Sequence, residues 1–188
     1  MNIRSKTLAL ALLLAPNAIF AATKSLPEPT PEIRVKFGGW SKHLHELPDV
    51  TKRKIQYNES HNGIGVEYIL KNATSNTYKG VGMMYMKDSF DKPAFTLGAS
   101  YGFYAEPFKD LSVGFGGIIG LQDRSYIETV AHHYMDTKRT IVPFVAPEIT
   151  FSYKSLGIST IVFPHVVVES GELEFKKPVI FTQAYINF

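Results

Sequence analysis

A chain of 188 residues, 45% of them hydrophobic, is long enough for one domain with its own core and too short for several. It has no cysteine, which excludes disulfides, thiolate nucleophiles, cysteine-held zinc or iron–sulfur centres and lipid-modified cysteine. Its net charge is only +3, and its mean hydropathy of −0.04 excludes a helical membrane protein but not a membrane β-barrel, whose apolar residues alternate with polar or small ones.

Residues 1–22 read as a secretory leader. Arg4 and Lys6 form the positive start, Leu8 to Leu14 a short apolar run, Pro16 its break, and Ala18, Ala21 and Ala22 the small residues of a cleavage site. The run is too short to cross a bilayer as a helix. Arg4 and Lys6 supply two of the three net charges, so the exported chain is nearly neutral. No Lys/Arg block that would suggest a nucleic-acid partner follows. Residues 23–31 carry Pro27, Pro29 and Pro31 and read as an extended lead-in to a barrel over 32–188.

From there the chain reads as eight strands. The first spans Glu32–Leu44. In the second, Ile64, Val66, Tyr68 and Leu70 alternate with Gly63, Gly65, Glu67 and Ile69. In the third, Val81, Met83 and Tyr85 alternate with Gly80, Gly82, Met84 and Met86. In the fourth, Leu97 to Phe103 alternate with Gly98, Ser100, Gly102 and Tyr104. The fifth runs from Leu111 to Gln122, and the last three occupy Arg139–Tyr153, Leu156–Val168 and Phe175–Phe188. Turn-like links follow the second, fourth and sixth strands, and longer ones the first, fifth and seventh, while the link at Asp91–Pro93 is short. Short turns at one end and longer loops at the other fit an eight-stranded antiparallel transmembrane β-barrel. A soluble periplasmic sandwich or lipocalin-like barrel would alternate too, with its apolar face inward.

One face of these strands carries bulky apolar residues and the other carries glycine, at 63, 65, 80, 82, 98, 102, 114, 116 and 120. Eight strands leave an interior that side chains normally just fill. With so much glycine inside, the pattern implies a partly apolar cavity walled by Met84, Met86 and Ile118, suited to an acyl chain. Glycine that only permits curvature is the other reading. At the outer ends of the first and third strands stand His43 with His45, and Asp88 with Ser89, and Asp88 shares the inward parity of Met84 and Met86. His, Asp and Ser at one cavity mouth suit acyl transfer by a base or a nucleophile. A rim histidine and an ordinary turn are the plain alternatives. His132 and His133 are adjacent, so on a strand they face opposite sides, and no metal site is assigned.

Several segments resemble the PagP family of outer-membrane lipid A palmitoyltransferases. They are Trp40-Ser41-Lys42-His43, Tyr57-Asn58-Glu59, Met86-Lys87-Asp88-Ser89-Phe90, Tyr101-Gly102-Phe103, Gly120–Arg124, Val142-Pro143 through Ala146-Pro147, Ile161–Pro164 and the terminal Phe188. The resemblance implies transfer of a palmitoyl chain from a glycerophospholipid donor to lipid A in the outer membrane, by a monomer without a cofactor. It implies that His43, Asp88 and Ser89 are catalytic, with His45 as the fallback histidine. It also implies that Gly102 ends the acyl slot, that Pro147 and Pro164 flank a lateral opening, and that Arg124 binds substrate on a long outer loop. The family's N-terminal helix has no counterpart here. Its prolines between the first two strands are replaced near Gly38 and His61. A lipid A deacylase or phospholipase and a non-catalytic lipid-binding barrel are the alternatives; the His-x-Ser-Asn pattern expected of the deacylases is absent.

Overall fold

A computed structural model describes residues 28–44, 57–130, 133–169 and 172–188; over 126–130, 133–138, 165–169 and 172–176 it describes the backbone alone. The expected leader at 1–22 and most of the expected lead-in at 23–31 lie outside the described residues.

Eight strands follow in chain order: β1 (Thr30–His43), β2 (Ser60–Asn72), β3 (Thr77–Lys87), β4 (Pro93–Phe108), β5 (Leu111–Val130), β6 (His133–Tyr153), β7 (Leu156–Glu169) and β8 (Glu172–Asn187). Each pairs antiparallel with the next, and β8 pairs with β1 to close an eight-stranded barrel. The first and last strands meet at that seam, where Ile33 and Phe188 exchange backbone hydrogen bonds of 3.1 and 2.9 Å.

The tight turns β2–β3, β4–β5 and β6–β7 lie at one end, here the turn end. Each uses a residue with positive φ, namely Asn76, Asp110 and Lys154. The opposite end is the mouth. There the links after the fifth and seventh strands differ from expectation. β5 and β6 stay paired up to Val130↔His133, and β7 and β8 up to Glu169↔Glu172, so strand replaces most of each expected loop. A backbone ladder needs no alternation of apolar side chains once it has left an apolar environment, so the pattern stops before the strand does.

The side-chain faces decide what kind of barrel this is. Ile64 is 63% exposed and Val145 64%, and both point outward, while inward-facing Arg34 is 4% exposed and Glu148 1%. A soluble barrel hides its apolar face; here that face is the outer surface, as lipid requires. No helix among the described residues is long and apolar enough to cross a membrane.

One irregularity sets which side chains reach the mouth. Gly38 and Gly39 have φ of +79° and +120°, and β1 shifts register against both neighbours there. The conformation suits glycine because a Cβ is rarely accommodated at such φ. Below this bulge Arg34 and Lys36 point inward; above it the parity reverses, so that Trp40 points out and Ser41 is buried inside.

The half of the lumen toward the turn end is filled. Lys36 Nζ lies 3.0 Å from Glu67, Arg34 3.8 Å from Glu67, and Ser100 Oγ donates to Glu67 at 3.0 Å. Ser159 donates to Glu148, which is 4.0 Å from Lys36. The Arg34 guanidinium stands over the Tyr185 ring at 4.7 Å.

Candidate active site

Above the Lys36–Glu67 pair the lumen becomes apolar. Met84, Met86, Ile118, Ile161 and Phe181 are buried there with Phe144 and Phe163 against them, and the Phe144 and Phe163 rings meet edge-on at 5.2 Å. They surround a cavity of about 60 Å³. That is several times the roughly 10–15 Å³ that admits one water. A second cavity of about 40 Å³ lies at the mouth and shares Met86, Phe163 and Phe181 with the first. Polar residues ring it: Ser41, His61, Asp88, Ser89, Gln122 and Arg124.

Three segments far apart in the chain meet at this mouth. His43 ends β1 and its Nε2 lies 3.0 Å from Ser89 Oγ. The His43 ring stacks on Tyr57 with centroids 3.8 Å apart and planes 5° apart. Tyr57 in turn touches Phe90, and Asn58 joins the Asp88-Ser89 link through its backbone N–H to Ser89 O at 2.8 Å and its amide to Asp88 O at 3.2 Å. Burial pushes the Tyr57 phenol up, against the pull of the Arg124 charge.

Asp88 is buried and its carboxylate accepts backbone N–H bonds from Phe90 at 2.8 Å, Lys92 at 2.9 Å and Ser125 at 2.8 Å. These backbone donors tie the β3–β4 link to β5 and hold Ser89 in front of His43.

The family model described as antimicrobial peptide resistance and lipid A acylation protein PagP matches residues 30–176. The chain belongs to the PagP family. A search of curated proteins finds no match. A solved structure of Ail, the attachment invasion locus protein of Yersinia pestis, in complex with the heparin analogue sucrose octasulfate, is similar at a TM-score of 0.43 and 9% identity, over 86% of this chain and 99% of that one.

Within this PagP-family barrel the other expected site residues fall into two groups. Arg124 reaches the mouth cavity, but from strand β5 rather than from a loop. Pro147 and Pro164 stand beside an interruption of the wall. β6 and β7 pair only from Tyr153↔Leu156 to Glu148↔Ile161, and the ladder ends next to Pro147, which has no N–H to give. β7 shifts register against β8 across Phe163/His165, around Pro164. Phe144, Ile161 and Phe163, which flank this gap, line the apolar cavity. Gly102 faces inward but is not brought to the cavity. It packs in the filled half, where an added Cβ would meet Phe115 O at 2.5 Å, Gly116 Cα at 2.7 Å and Tyr78 at 2.8 Å. His45 lies outside the described residues. Among the described residues no group of acidic, histidine or cysteine side chains could hold a metal ion.

The sequence reading missed Ser41 and His61 as members of the mouth. The available signal was the Gly38-Gly39 pair, which marks a bulge and so a change of parity before Ser41.

Proposed function

We propose that this barrel is an outer-membrane acyltransferase that moves a palmitoyl chain from a glycerophospholipid to lipid A, after export with removal of a leader at 1–22. The observation that carries the reading is the His43–Ser89 pair, 3.0 Å apart, with Ser89 lining a mouth cavity that shares Met86, Phe163 and Phe181 with the apolar one. Membership of a family described by lipid A acylation supports it. His43 serves as base toward the attacking hydroxyl, and Ser89 orients and activates the reacting group. Asp88 holds Ser89 in place through its three backbone bonds. The acyl chain enters between β6 and β7, past Pro147 and Pro164, and lies along Met84, Met86 and Ile118. The Lys36–Glu67 pair, which also borders this cavity, sets the depth of the slot in place of Gly102. Arg124 meets the phosphate of donor or acceptor at the mouth. The working unit is a monomer.

The test is mass spectrometry of lipid A from cells producing the wild type and cells producing Ser89→Ala, with the barrel confirmed folded in the outer membrane. The expected result is an added acyl chain in the first that falls by about 100-fold in the second. Loss of an existing chain from lipid A would replace the transferase by a deacylase. Unchanged lipid A in both would end the lipid A assignment.

A further inference from the structure

The mouth contains a second histidine–serine pair, which shares β1 with the first. His61 on β2 and Ser41 on β1 are 3% and 8% exposed, and both line the mouth cavity. His61 Nδ1 lies 2.7 Å from the Lys87 carbonyl oxygen, and His61 Nε2 lies 2.8 Å from Ser41 Oγ. A carbonyl can only accept, so Nδ1 carries the proton. In the neutral ring Nε2 is then a bare acceptor, and the Ser41 hydroxyl donates to it. This is the arrangement an activated serine needs: a hydroxyl on an imidazole nitrogen, and the opposite nitrogen anchored so that the tautomer is fixed.

Three further observations favour a reactive pair over a simple rivet between strands. The wall needs no rivet there, because Ser41 N already donates to Glu59 O at 2.9 Å and Trp40 pairs with Ser60. The Phe181 ring beside His61, with centroids 5.5 Å apart, lines both cavities, so an acyl chain lying in the apolar one would present its carbonyl end near Ser41. Arg124 lines the same mouth, where its charge would favour an oxyanion.

We infer that Ser41 and His61 form an acyl-accepting dyad that works on the phospholipid donor, leaving His43 and Ser89 to the acceptor. This rests on the acyl-transfer reading above. In the first half, Ser41 Oγ attacks the donor ester carbonyl and its proton passes to His61 Nε2. The bond to the glycerol oxygen breaks, and that oxygen leaves with the proton from His61. The products are an ester on Ser41 and a lysophospholipid. In the second half the acceptor hydroxyl attacks the Ser41 ester and gives its proton to His43. The bond to Ser41 breaks, and the proton is handed on to Ser41 Oγ.

The experiment treats the full chain, in outer-membrane preparations, with an alkyl fluorophosphonate and maps the adduct by peptide mass spectrometry. Attack by a serine oxygen expels fluoride and leaves a stable phosphonyl ester. The expected result is an adduct on Ser41 that persists in Ser89→Ala and falls at least about tenfold in His61→Asn, with heat-modifiable gel mobility confirming each barrel. Should His61→Asn fail to fold, Ser41→Ala and Ser41→Thr take its place: lipid A acylation falls about 100-fold in the first and survives in part in the second. An adduct on Ser89 with none on Ser41 overturns the inference and leaves the transferase reading standing. So does Ser41→Ala protein that acylates lipid A as the wild type does. If the wild type acylates no lipid A, the transferase reading fails, and the Ser41 adduct alone then upholds or removes the dyad.

Discussion

Between the Lys36–Glu67 pair and the tight turns, the lumen holds Arg34, Glu67, Glu148, Tyr78 and Tyr185 in close contact; between that pair and the Asp88 link, it holds methionine, isoleucine and phenylalanine around open space. The same eight strands wall both halves, so backbone architecture does not make the difference. Contents do. The lower half is cross-linked by charges on β1, β2 and β6 that reach across the axis. The upper half uses flexible Met84 and Met86 and rings that meet only at their edges, which leaves room. Rigidity and void are thus separated along one axis, and substitutions in the two halves should be felt in different measurements.

The largest effect is expected below. Glu67→Leu leaves Arg34 and Lys36 buried without their shared carboxylate, and folding stability should fall by about 3–5 kcal/mol. Urea titration of the barrel in detergent or vesicles measures it. A loss under about 1 kcal/mol would mean that the lower charges do not act as a cross-link. Next comes Gly102→Ala, whose new methyl meets backbone on β5 as well as Tyr78. Stability should drop by about 1–3 kcal/mol while the transferred chain keeps its length. A shorter product would return the slot floor to Gly102 and dissolve the boundary drawn at Lys36–Glu67. The smallest free-energy change belongs to the upper half. Ile118→Phe projects a larger side chain into the cavity, and should disfavour the longest accepted chain by about tenfold, or about 1.4 kcal/mol, with little change in stability. The distribution of acyl lengths on lipid A reads it directly.

The fold was legible because lipid imposes a strict pattern. Every outward position from Ile64 to Tyr68, or Val81 to Tyr85, had to be apolar, and glycine at inward positions sharpened the contrast. Legibility faded where lipid stops. Asp123 pairs with Arg139 on the exposed face of β5 and β6 at 2.7 Å, and beyond it the strands continue without any apolar rhythm to announce them. At the site, strand order brought the rims of β1 and β3 together and parity turned Asp88 inward, while His43, Asp88 and Ser89 were named together through the family resemblance. The pairing of Ser41 with His61 followed from none of these, because it depends on one extra residue at Gly38-Gly39 that shifts everything after it. Gly102 was read correctly as inward. What its neighbours do is set by Tyr78, whose ring lies over Gly102 and reaches Gly116 on β5 in a way that no spacing reveals.

The seam between β1 and β8 has a consequence for how the barrel comes into being. The first strand made is the partner of the last, so β1 must wait, with one row of backbone donors and acceptors unpaired, until the rest of the sheet has formed. A waiting edge invites other chains to pair with it. β1 is equipped against this. Arg34 and Lys36 place charge on its inner face, and the glycine bulge bends it out of register with a flat partner. The bulge that turns Ser41 toward the lumen in the finished barrel therefore also guards the unfinished one against joining the wrong sheet.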